Sequence, residues 1–134
     1  MAIRVLRDPT APMRLTVEID HYRLAMEISA EDGGHAAGPN PHDLYDAALG
    51  ACKALTVLWF AKRKEMPIEN IEISVTRDNS QERSGTYRLN ANAKLTGTLT
   101  QGQRAELMQV ARRCPIEKLM TEVKTEINTT WVET

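Results

Sequence analysis

Aromatic side chains are scarce, with one Phe, three Tyr and two Trp among 134 residues. A core without large rings leans on Leu, Ile, Val, Ala and Met, and many small side chains then face one another. Close helix packing, or burial against a second copy of the chain, suits such a core. Cysteine is scarcer still: there are two. Two cysteines do not make a disulfide scaffold in a chain of this size, so they are either inert core thiols or a redox pair. An excess of charge is missing too, the net charge being −1 at pH 7. Without a basic surplus to neutralise phosphates, no nucleic-acid partner is expected. No apolar run reaches about 18 residues, so no membrane span is expected. The start, "MAIRVLRDPT", lacks the apolar core of a signal peptide, and the expected location is cytoplasmic.

Several chemical signatures are also missing. His21, His35 and His42 fall in or beside turns, and no C-x-x-C or H-x-x-H pair is present. Neither a metal nor a cofactor is expected. "GGHAAGPNP" has the composition of a phosphate loop but neither G-x-G-x-x-G nor G-K-[ST], and it reads as a flexible loop. No Ser sits in a G-x-S-x-G elbow.

What is present is the patterning of one α+β domain spanning 1–134. A chain of this length buries roughly 68% of its unfolded surface without staples. "LTVEI" (15–19) and "LAMEI" (24–28) alternate with period two around "DHYR" and predict a hairpin, with "AIRVL" (2–6) as an earlier strand. Residues 30–40 predict a loop. Asn40 followed by Pro41 is a helix start, with Asp43 in the first turn. Leu44, Ala48, Ala51, Leu55 and Leu58 then recur at three- and four-residue spacing, with Cys52 and Trp59 beside that stripe, to about Lys64. "IEISVTR" (71–77) and "TYRLNANAKLTG" (86–97) predict a second hairpin. Thr100 caps a helix whose apolar face is Ala105, Leu107, Met108, Val110 and Ala111. Pro115 opens a further helical segment with Cys114 at its N-cap, and "EVKTEINTTWVE" predicts a closing strand.

On these grounds the two thiols differ. Cys114, at a helix N-terminus and after Arg112 and Arg113, sits where backbone N–H groups and positive charge favour thiolate. Cys52 borders an apolar stripe, where desolvation would raise its pKa and make it inert. Spacing leaves open whether the two meet.

"GPNP", followed by "DLYDAALGACKALTV" and later by "CPIEKLM", resembles the OsmC/Ohr family of osmotically induced and organic-hydroperoxide-resistance proteins. The resemblance covers roughly residues 15 to 131. It implies an intertwined homodimer with long central helices packed between antiparallel sheets. It also implies a thiol peroxidase acting on organic hydroperoxides or another small apolar substrate. Cys52 would attack the O–O bond and become a sulfenic acid. Cys114 would close a disulfide that an external dithiol reduces. A cation beside the buried thiolate is implied as well, with Arg14 the best positional match and Arg23 and Arg7 behind it. At one position the pattern departs. The hydroperoxide-reducing branches hold that Arg with a Glu where this chain has His42, followed by Asp43. Asp43 would then substitute for the Glu, or His42 would act as a base or proton relay. In this respect the chain looks closer to an OsmC-like branch that carries both cysteines. Two other expectations stand beside the peroxidase. One is a redox sensor or small-molecule binding protein without efficient turnover, and the other is a structural dimer whose thiols only pack.

Overall fold

A computed structural model describes residues 2–133. The chain divides into two compact units, one up to Ala48 and the other from Leu49 onward. The N-terminal unit holds an antiparallel sheet of β1 (Ile3–Arg7), β2 (Arg14–Ile19) and β3 (Tyr22–Glu27), in that order. Period-two alternation turns Val17 and Met26 inward, where they are buried. The hairpin is tighter than the sequence suggests, because Tyr22 already pairs with Ile19. Asp20 in the turn takes a left-handed φ of 54°, which a short polar side chain tolerates.

The expected loop follows, folded back along β3. The Glu27 amide donates to the Pro39 carbonyl at 3.1 Å. A Cβ on Gly38 would lie 2.1 Å from the Ala25 carbonyl oxygen, so this approach of two backbones requires glycine. Helix α1 (Pro41–Arg63) begins where Asn40 and Pro41 predict. Asn40 Oδ1 accepts from the Asp43 amide at 2.9 Å, and Asp43 Oδ2 accepts from the Asn40 amide at 3.0 Å. The pair is a reciprocal cap.

The C-terminal unit contains most of α1, the hairpin of β4 (Asn70–Asp78) and β5 (Arg88–Thr96), and two further helices, α2 (Gln101–Arg112) and α3 (Pro115–Thr121). In the β4–β5 register Ile71 faces Leu95 and Val75 faces Ala91. Thr100 and Gln103 close a capping box at the start of α2. Val57 and Ala61 of α1 form the buried centre with Leu107 and Ala111 of α2, and Phe60, Met66, Ile71 and Leu95 pack around it. A Cβ on Gly50 would stand 3.0 Å from the Val75 side chain, so glycine seats α1 tightly on β4. Two antiparallel sheets and three α-helices, among the described residues, make the α+β class expected from the sequence.

Three expectations are corrected. The face of α1 that the chain buries is Leu49, Lys53, Val57 and Ala61, not the stripe through Leu55 and Leu58, which are 66% and 40% exposed. Apolar residues surround this helix, so spacing could not choose the face. Its best window has a mean hydropathy of 1.3, enough by length and composition to cross a membrane, and a helix apolar all round is also what a buried core helix shows. On α2, Met108 is exposed while Leu107, Val110 and Ala111 are buried. Lastly, the expected closing strand does not form: residues 124–133 carry no regular structure. A strand needs a hydrogen-bonding edge, and none among the described residues pairs with this segment.

Candidate active site

Cys52 lies midway along α1 and is half-buried, whereas Cys114 caps α3 and is wholly buried; both are free thiols. The Ile116 amide donates to Cys52 Sγ at 3.5 Å, and the next amide, Glu117, donates to Cys114 Sγ at 3.4 Å. Two cysteines from distant parts of the sequence therefore meet at the first turn of α3. Their convergence follows from local signals. Pro115 fixes the start of α3 and leaves Cys114 as its cap, while the bonds from the next residue on α1, Lys53, to Ala111 and Glu117 hold Cys52 beside that turn. Thr56 spends its hydroxyl proton on the Cys52 carbonyl at 2.6 Å. Its oxygen, 3.9 Å from Cys52 Sγ, is left to accept from the thiol.

Burial pushes the Cys114 thiol up from its ordinary value, with the Cys52 thiol adding to the rise; the Glu117 amide and the Lys53 charge oppose it. The net direction is opposite to the expectation for a helix N-cap, because desolvation outweighs the amide hydrogen bond. The cation that lowers the cost of the thiolate here is Lys53, not Arg112 or Arg113. Lys53 is only 6% exposed. Its Nζ donates to the Ala111 carbonyl at 2.9 Å and to Glu117 Oε1 at 2.8 Å, tying α1 to the end of α2 and the start of α3. Sequence reasoning missed this residue. The signal was a single lysine set on the apolar row Leu49, Val57 and Ala61.

Lys53 and Glu117 also line a cavity of about 440 Å³, with Leu49, Ile73, Met108 and Arg112 among its walls. Among the described residues, no group of three His, Cys, Asp or Glu side chains is placed to hold a metal.

The other predicted residues belong to the N-terminal unit. Arg14 Nε donates to Glu27 Oε2 at 2.8 Å across β2 and β3, and the His35 amide donates to Glu27 Oε1. Glu27, which no sequence pattern singles out, has a fully buried side chain. Arg14 first, and then the His35 amide, hold its carboxyl below its ordinary value. Asp43 makes the reciprocal cap with Asn40, and His42 is exposed beside it on the first turn of α1. Arg14 is thus ion-paired with Glu27, on the neighbouring strand.

A half-buried and a buried cysteine bonded to one helical turn, on an α+β scaffold, define a protein of the two-thiol kind. The chain belongs to the OsmC-like protein family, whose model matches residues 33–129. No curated protein matches it in sequence. Among solved structures it is similar to an OsmC-like protein from Mycoplasma pneumoniae, at 20% identity and a TM-score of 0.74 over 98% of this chain and 96% of that one. It is also similar to an organic hydroperoxide resistance protein OsmC from Legionella pneumophila, at 18% identity and a TM-score of 0.66 over 91% and 90%. The organic hydroperoxide resistance protein OhrB of Bacillus subtilis matches at 23% identity and a TM-score of 0.59 over 91% and 92%. At these identities the likeness establishes the OsmC/Ohr fold.

Proposed function

We propose that this protein is a thiol-dependent peroxidase that reduces organic hydroperoxides. The reading rests on one observation: two free cysteines, one half-buried and one fully buried, bonded to consecutive amides of α3. Their unequal burial divides the labour. Cys52, the more exposed, is the sulfur a substrate can reach. Its thiolate attacks one peroxide oxygen, the O–O bond breaks, an alcohol leaves and Cys52 becomes a sulfenic acid. Cys114 then attacks the oxidised sulfur, closing a disulfide with loss of water. An external dithiol reopens it by exchange, returning the two electrons the peroxide removed. Two similar structures are of organic hydroperoxide resistance proteins, which agrees with the choice of substrate. Family resemblance also brings Arg14, His42 and Asp43 into the reaction, each as a residue to test by substitution. A reducing cytoplasm would supply the dithiol.

Functional assembly as a homodimer is part of the same proposal. It is supported by the exposed apolar stripe of α1 and by the unpaired C-terminal segment, where Ile127, Trp131 and Val132 stand in solvent.

A second reading, a redox sensor or small-molecule binder without efficient turnover, is favoured by His42 standing where the resemblance leads one to expect a Glu. One equivalent of cumene hydroperoxide distinguishes these readings. The peroxidase loses two free thiols, and its Cys114→Ser variant stops at a trappable sulfenate. Sustained turnover with dithiothreitol or lipoamide separates the peroxidase from the sensor. Thiols that hydroperoxide leaves untouched would reduce both cysteines to packing residues.

A further inference from the structure

We infer that Lys53 is the positioning residue of the second half-reaction: its buried ammonium keeps the Cys114 sulfur ready to attack the Cys52 sulfenic acid, and Glu117 sets the strength of that effect. The inference rests on the peroxidase reading and deepens it. Closing the disulfide requires Cys114 to give up its proton. The thiolate attacks the Cys52 sulfur, the S–O bond breaks, and the departing hydroxide takes up a proton to become water. Nothing is oxidised beyond what the hydroperoxide has already oxidised. The difficulty is that Cys114 is wholly buried, and burial alone makes its thiolate unfavourable.

Lys53 offsets that difficulty. It follows Cys52 in the chain, is itself buried, and reaches across to the turn that begins at Cys114. An ammonium held in low dielectric acts on a nearby sulfur far more strongly than one in water. The groups around it can be named element by element. Glu117 comes from α3 and Arg112 from α2, while the β4–β5 residues of the same cavity, such as Ile73, Leu89 and Asn92, do not titrate. The remaining ionisable groups at this turn are the two thiols, Arg113 just before Cys114, and Lys118, whose amide donates to the Cys114 carbonyl. Glu117 therefore damps the field of Lys53 at the sulfur while anchoring the lysine through the 2.8 Å contact.

Two substitutions then act in opposite directions. In a Cys52→Ser background, where Cys114 is the single thiol, ultraviolet thiolate absorbance is followed against pH. Lys53→Met should raise the midpoint by about one pH unit, a tenfold change. Lys53→Arg should keep it near the parent value, and Glu117→Gln should lower it. If the ion pair served only to hold the helices together, loss of either partner would shift the midpoint the same way. A common direction, or an unmoved midpoint in Lys53→Met, overturns the inference. Glu117→Gln keeps the test decidable should Lys53→Met fail to fold.

With both cysteines present, one equivalent of cumene hydroperoxide and intact mass against time give the closure rate. Lys53→Met should close the disulfide about tenfold more slowly at neutral pH, with Lys53→Arg restoring the rate. An unchanged rate overturns the role. If the parent protein resists hydroperoxide while the midpoints still shift as expected, the peroxidase reading fails and takes this use of Lys53 with it. Closure in the parent protein with midpoints that do not shift overturns Lys53 alone.

Discussion

Glu27 shows how one buried carboxylate couples sequence to stability. Its side chain is wholly enclosed, and its charge is met by Arg14 and by the His35 amide. The ordinary carboxyl value is 4.5, and the folded value lies below it. As pH falls the unfolded chain therefore takes up the proton first. The stabilisation is fully present above about 4.5 and is lost as pH drops through the lower folded value. Glu27→Gln should accordingly unfold at lower urea than the parent protein at neutral pH, with the gap closing in acid. A gap that stays constant with pH would mean that the ion pair contributes nothing. At this scale legibility was uneven. Both cysteines stood out because thiols are rare and Pro115 marks a helix start. Glu27 and Lys53 did not, because a charge on a strand or helix is usually solvated, and only tertiary packing removes these two from water. Asp43, expected as a substitute carboxylate for Arg14, caps α1 with Asn40, a local bond any helix start of this type can make.

Elements were legible wherever their ends carry their own chemistry. Asn40 and Pro41, Thr100 and Gln103, and Cys114 and Pro115 each announce a helix start through a cap or a fixed φ, and the three helices begin there. The end of α1 is less orthodox. Glu65 adopts a left-handed φ of 54° while the Met66 amide donates to the Ala61 carbonyl at 2.9 Å, a position that glycine usually fills. A side chain there costs about 1–2 kcal/mol, part of which glycine gives back through its freedom in the unfolded chain. Glu65→Gly should thus stabilise the protein by about 0.5–1 kcal/mol in urea titration. A variant less stable than its parent would show that the Glu65 side chain makes a compensating contact. Periodicity failed at Met108 of α2, at the outer stripe of α1 and in the segment 124–133, and the last two are left uncovered among the described residues. Helix α1 is apolar on every side, so the 3.6-residue repeat could not say which side the chain itself covers. The segment 124–133 alternates like a strand but has no edge to join.

At the scale of the molecule the last two of these failures coincide. Leu55 and Trp59 are 66% and 61% exposed on α1, and Trp131 is 97% exposed near the C-terminus. Scarce aromatics are thus left in water by the very sequence that can least spare them from its core. A homodimer, the assembly proposed above, covers such surface, and its two-fold symmetry makes every contact occur twice. Leu55→Lys tests this directly. In an isolated chain the substitution sits in solvent and should change stability by no more than about 0.5 kcal/mol. In a dimer packed on this face it removes two leucines, each contributing about 1.5–3 kcal/mol when buried. The dissociation constant should then rise by about a hundredfold or more. Sedimentation equilibrium reads the outcome. The parent protein should sediment as a dimer and the variant as a monomer over the same concentrations, with matching circular dichroism. A monomeric parent, or a variant that dimerises as tightly as its parent, would leave the apolar stripe to some other partner. The pairing of Cys52 with Cys114 would be unaffected, because both thiols and Lys53 belong to one compact unit of a single chain.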